Sequence, residues 1–170
     1  TNRFSNGEPS AFFSELRVSP QVILTQQLNR VRIDHRLRYE FRWLGANQAV
    51  EDKSFIYGGD FSTSTYRKRF RYQIKGSMPL GKAKMEDKTW YVQAYNELMI
   101  NMGENVPNLN IFDQNRLLIG LGYRINSNLS VEMGYMQQSI FRFNNATKNN
   151  VEINNILQVN LAISNFETFF

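Results

Sequence analysis

Cysteine is absent from the 170 residues. That removes disulfide frameworks, thiol chemistry and cysteine-based metal sites. Histidine occurs once, at His35, so no histidine metal cluster can form. Long apolar runs are missing too: none approaches the ~18 consecutive residues of a membrane-spanning helix. The start of the chain shows no basic segment followed by an apolar one, as a signal peptide would. Thr1 begins mid-flow, which reads as a processed chain or a fragment. A helical 3.6-residue period is not found either.

What is present is alternation. In "VRIDHRLRYEFRW" the odd positions are Val31, Ile33, His35, Leu37, Tyr39, Phe41 and Trp43. The even positions are Arg32, Asp34, Arg36, Arg38, Glu40 and Arg42, every one charged. Period two predicts seven strands: 16–28, 31–43, 66–80, 90–102, 115–125, 129–141 and 151–164. Hydrophobic content is 42% and aromatic content 14%. The net charge is +5 and the isoelectric point about 9.6, a balance that suits nucleic acid, an acidic ligand or an anionic membrane surface.

The links sharpen this reading. Asn29–Arg30 and Asn126–Asn128 are short, whereas the links after Trp43, Met102 and Phe141 are long. Outer-membrane barrels alternate short periplasmic turns with longer extracellular loops. A soluble sheet hides its apolar face, whereas a membrane barrel turns it outward. The strands exceed the ~5–6 residues usual in soluble sheets. Arginine dominates the polar phase, and the aromatics Tyr39, Trp43, Tyr66, Trp90, Tyr123 and Tyr135 fit two interfacial girdles. The expected fold is therefore all-β: an antiparallel up-and-down transmembrane β-barrel, with a soluble β-barrel or sandwich as the alternative. Pro20 suggests an edge-like spot or a bulge. Asn96 falls in the lipid phase, where a bulge or a protein neighbour would account for it. Bacterial single-chain barrels have an even strand count and periplasmic termini. By that parity, at least one upward strand precedes the first one seen, and Thr1–Phe13 reads as an extracellular loop.

The motifs "FDQNR" (Phe112–Arg116), "LLIGLGYRI", "NLSVEMGYMQQ", "HRLRYEFRW", "RFRYQIKGSMPL" and "WYVQAYNELMIN" carry a resemblance. Over Glu15 to Ile163 the chain resembles a Bacteroidetes-type outer-membrane β-barrel family known only as a domain of unknown function. The resemblance implies a barrel of ten to twelve strands, exported by a cleaved signal, with no established activity or catalytic residues. On this reading residues 1–170 are a single outer-membrane barrel domain lacking its N-terminal strands. Residues 165–170 read as a periplasmic tail, although Phe170 also looks like the terminal aromatic of barrel assembly.

With the apolar phase outward, Arg32, Arg36, Arg38 and Arg42 line a lumen, joined by Arg67, Arg69, Arg71, Lys75, Arg116 and Arg124. Asp34, Glu40, Glu97 and Glu132 oppose them. Two readings stand. The arginines are anion-binding candidates for a selective pore, or the charges form a structural network plugging a narrow lumen. Gly120, Gly122 and Gly134 share the lumen phase, making room for the arginines or Tyr95. His35 lies in the lipid phase away from Asp34, so no Ser–His constellation is expected in the lumen. No catalytic, cofactor or metal residue is assigned. Nucleic acid is rejected as a partner, because basic and aromatic residues fall on opposite faces while a stacking platform needs both on one. The sequon Asn145-Ala146-Thr147 reads as a polar loop. The expected role is a non-enzymatic structural or accessory subunit of a larger outer-membrane complex. The alternative is a narrow channel for small anions or acidic sugars. The expected partners are the lipid bilayer and other outer-membrane proteins.

Overall fold

The computed structural model describes residues 4–5, 8–9, 15–45, 64–106, 111–144 and 147–163. Among them every regular element is a β-strand and there is no helix. β1 (Phe4–Ser5) and β2 (Glu8–Pro9) form a two-stranded ladder of their own. The main sheet contains β3 (Glu15–Val18), β4 (Gln21–Leu28), β5 (Val31–Leu44), β6 (Thr65–Pro79), β7 (Thr89–Met102), β8 (Phe112–Arg124), β9 (Leu129–Asn144) and β10 (Thr147–Ile163). Its strands follow one another antiparallel in chain order, with β3 and β4 both paired to β5. The sheet curls into a half-barrel, and β10 and β3/β4 are its edges.

One contact shows the curl. Lys75 Nζ on β6 lies 3.5 Å from Glu132 Oε1 on β9. In a flat sheet three strand steps would hold those backbones about 14 Å apart. Curling toward the charged face brings the two side chains together.

The sidedness follows the alternation. Buried side chains are mostly polar or ionic, among them Glu40 (0% exposed), Glu97 (2%), Arg69, Arg71, Gln93 and Asn101. Large apolar side chains are exposed, among them Ile119 (64%), Met133, Leu157 (82%) and Val159. The charged phase therefore occupies the concave face and the apolar phase the convex one.

The strand expected at 16–28 is broken at Ser19–Pro20. Arg17 pairs with Arg42 and Gln21 with Arg38, so the register is the same on both sides and no residue is inserted. Pro20 is therefore no bulge. It lies opposite Tyr39, where its missing N–H removes one of the pair's two ladder bonds, a loss tolerated on an edge strand, and its carbonyl still accepts Tyr39 N at 3.0 Å.

A true bulge lies elsewhere. On β8 the register shifts between Met99↔Gln114 and Ile100↔Phe112, leaving Asp113 extra. Such an insertion re-aims a side chain, and here β8 begins three residues before the expected Asn115. The long link expected after Phe141 is also corrected. β9 runs to Asn144 and β10 starts at Thr147, so the Asn-rich stretch is mostly ladder. Strand pairing beyond the apolar band overrode its turn-like composition.

The short turns have local causes. Asn29 takes φ 51°, a left-handed conformation that asparagine tolerates. Asn126 Oδ1 accepts the N–H groups of Asn128 and Leu129 at 2.9 and 2.8 Å, closing the β8–β9 turn. Most of the link after β5, most of the segment before Glu15, Asn145–Ala146 of the sequon and residues 165–170 lie outside the described residues.

Candidate functional site

The concave face of β5, β6 and β7 carries its charges in strand alternation, and cross-strand pairing sets them side by side. Glu40 lies opposite Arg69, and Arg38 opposite Arg71. Glu97 lies opposite Gln73 and Arg116. Two buried carboxylates organise the rest. Glu40 Oε2 accepts Arg69 Nε at 2.7 Å, and Glu40 Oε1 accepts Arg71 Nη1 at 2.8 Å. Glu97 accepts Arg71 Nη2 on both oxygens, at 2.8 and 2.9 Å, and Arg36 Nη2 at 2.9 Å. Arg116 Nη1 stands 3.7 Å from Glu97 Oε2. Arg71 thus bridges the two glutamates with the planar fork that suits carboxylates.

The remaining expected residues hang on this centre or lie below it. Arg38 donates to the neutral amide of Gln21, and Arg32 donates to Asp34. Lys75 and Glu132 form the long-range pair already described. Arg124 donates to the main-chain carbonyls of Met85 and Asn126. Arg67 keeps a buried Nε without a partner, as Arg116 does.

Three network members were not expected. Arg42 Nε donates to Glu15 at 2.6 Å, and Glu15 also accepts Arg17. Arg69 Nη1 donates to Asp113 at 2.9 Å. Glu15 and Arg17 fall in the phase opposite Leu16 and Val18, a signal that period-two counting contains. Asp113 faces the wall only through the bulge, which such counting does not see. With these members included, cations still outnumber carboxylates on the wall.

Gly122 does not make room for an arginine or for Tyr95. Tyr91 lies directly opposite it, and a Cβ at Gly122 would fall within the Tyr91 ring's contact distance. The Tyr91 hydroxyl crosses β8 to donate to Glu132 at 2.8 Å. Gly120 and Gly134 are opposite each other, and a Cβ on Gly120 would meet the β9 backbone at 2.7 Å.

On the convex face Trp43 and Tyr66 pair at one end, ring centroids 5.2 Å apart. Trp90 and Tyr123 pair at the turn end at 4.8 Å. Tyr39 lies against Phe41. Tyr135 sits mid-strand rather than at a rim, and its hydroxyl donates to Asn155 at 2.7 Å. His35 Nδ1 is 2.8 Å from the Tyr72 hydroxyl, on the side away from the charged wall. Asn96 needs neither a bulge nor a protein neighbour. Its amide and that of Asn115 on β8 donate to each other at 3.2 Å. No group of His, Asp and Glu among the described residues could hold a metal ion.

The family described as "Protein of unknown function (DUF2490)" matches residues 3–150. The chain belongs to the DUF2490 family. No curated protein matches this DUF2490 chain, and no solved structure does. The DUF2490 match takes in β1 through β9 and the first residues of β10. It therefore contains the whole charged wall from Glu15 to Glu132 and the glycines opposite Tyr91 and Gly134.

Proposed function

We propose that the chain is a non-enzymatic outer-membrane β-barrel protein, a structural or accessory subunit of a larger outer-membrane assembly. The observation that carries this reading is the reversed sidedness of the sheet: ions inside, apolar side chains out. Soluble monomers rarely expose apolar patches larger than about 300–600 Å², and here large apolar side chains are exposed along the convex face of every long strand from β6 to β10. Lipid would cover it. Strands of 13 to 17 residues exceed the ~9–11 needed to cross a bilayer with tilt. The aromatic pairs Trp43–Tyr66 and Trp90–Tyr123 at opposite ends support the same placement.

The subunit role rests on two features. The buried carboxylates Glu40 and Glu97 are each closed off by arginines, which suits bracing better than chemistry. Among the described residues the outer sides of β4 and β10 have no strand beside them, and a lipid-facing edge needs neighbouring strands. Fractionation and native purification test the proposal. The expected result is the outer-membrane fraction and a stoichiometric protein partner. Recovery from the aqueous fraction, alone, would overturn it.

A second reading is a narrow anion-selective channel for small anions or acidic sugars, favoured by the cation excess on the wall. Planar-bilayer recording decides it, and absent or cation-selective conductance rejects it. Arg38→Gln is the cleanest probe, because Arg38 is held by a neutral amide rather than by the buried carboxylates. It should lower anion selectivity. Neutralising Arg36, Arg69 and Arg71 with it should lower selectivity further.

A further inference from the structure

We infer that the turn end of the half-barrel holds a binding site for a tetrahedral oxyanion: phosphate or a small phosphate ester. A cup of about 720 Å³ opens there, reached by Arg30, Arg32, Lys75, Lys84 and Arg124. Its size suits a small ligand.

The cup's carboxylates are already engaged. Asp34 accepts Thr25 Oγ1 at 2.6 Å and Arg32 Nε at 3.0 Å. Glu132 Oε1 accepts the Tyr91 hydroxyl at 2.8 Å and faces Lys75 at 3.5 Å. The other cations are not neutralised in this way. Arg30 is held by main-chain carbonyls: Nε donates to Lys82 O at 3.1 Å and Nη2 to Pro79 O at 2.9 Å. Arg124 is held likewise by Met85 O and Asn126 O, each at 3.3 Å. Its nearest carboxylate, Asp87, is 3.8 Å away and mostly exposed, so water and salt screen it. Lys84 has no ion pair among the described residues.

Neutral carbonyls fix a guanidinium in place without cancelling its charge. Two arginines are thus pre-organised, with free N–H groups, beside a lysine that no carboxylate pairs among the described residues. Ser77 and Ser130 add hydroxyls to the same cup. Fixed forks, a point charge and hydroxyl donors together suit an anion with several equivalent oxygens. The site uses Arg30 and Lys84, which do not belong to the buried network. It stands whether or not the lumen conducts.

Isothermal titration calorimetry of the full chain in detergent micelles, at fixed ionic strength, tests the site with inorganic phosphate. The expected result is saturable binding, tighter than that of acetate. Arg30→Gln should weaken it about tenfold, the loss of one charge-assisted contact. Lys84→Gln should weaken it severalfold, and its side chain has no structural partner whose loss could disturb folding. Lys68→Gln, on the convex face over Tyr66, should leave it unchanged. Glycerol 3-phosphate and glucose 6-phosphate distinguish a lipid-headgroup source from a sugar source by which binds tighter. No saturable binding, equal affinity for acetate, or equal weakening by Lys68→Gln overturns the site.

Discussion

Arg71 donates to Glu97 from both Nε and Nη2 while Nη1 reaches Glu40. The guanidinium therefore joins two buried carboxylates on β5 and β7 across the strand that carries it. Breaking one partner of such a group leaves a charge in a poorly solvated place.

Glu97→Ala should be severely destabilising for that reason. It leaves Arg36, Arg71 and Arg116 facing one another, and the loss should be about 3–5 kcal/mol. Urea unfolding in detergent or lipid measures it. An unchanged midpoint would show that the wall does not brace the sheet.

Gly122→Ala places a methyl group against the Tyr91 ring. Overpacking of this kind costs about 1–3 kcal/mol. Adding Tyr91→Ala to Gly122→Ala should recover part of the loss, read as a non-additive double-mutant cycle.

Asn96→Leu strands the Asn115 amide on the apolar face and should cost about 1–3 kcal/mol. The double change Asn96→Leu with Asn115→Leu should be close to neutral. Additive losses would mean that the two amides act separately.

Ile119→Arg separates the lipid reading from the soluble one. Facing lipid near mid-strand, the arginine should cost about 2–4 kcal/mol of folding stability in bilayers. Facing water, it should be neutral or should improve solubility. Refolding into liposomes, followed by urea titration, gives the answer.

Much of this architecture is legible in residue order. Alternation at Val31–Trp43 and at Tyr66–Leu80 marks both the strands and the faces that the sheet displays, because a strand's side chains have a strict period of two. The same counting places Arg36, Arg69, Arg71 and Glu97 on one wall. It does not predict which of them meet, since cross-strand register depends on turns and insertions. Asp113 is the clearest case: one extra residue turns it toward Arg69. The Asn96–Asn115 pair is invisible for a related reason, as Asn96, which looks misplaced alone, finds its diagonal neighbour Asn115 only when β7 and β8 are aligned. The Asn-rich stretch around Asn144 and Thr147 misleads through composition, because asparagine favours turns but a long ladder can absorb it.

The two outermost strands of the described sheet have a directional consequence. β4 and β10 point the same way, since five alternating strands separate them. A second copy rotated about the cylinder axis would set its β4 beside β10 in parallel, breaking the antiparallel weave. Closing the cylinder in that weave requires an odd number of inserted strands, the first and last both running like β5.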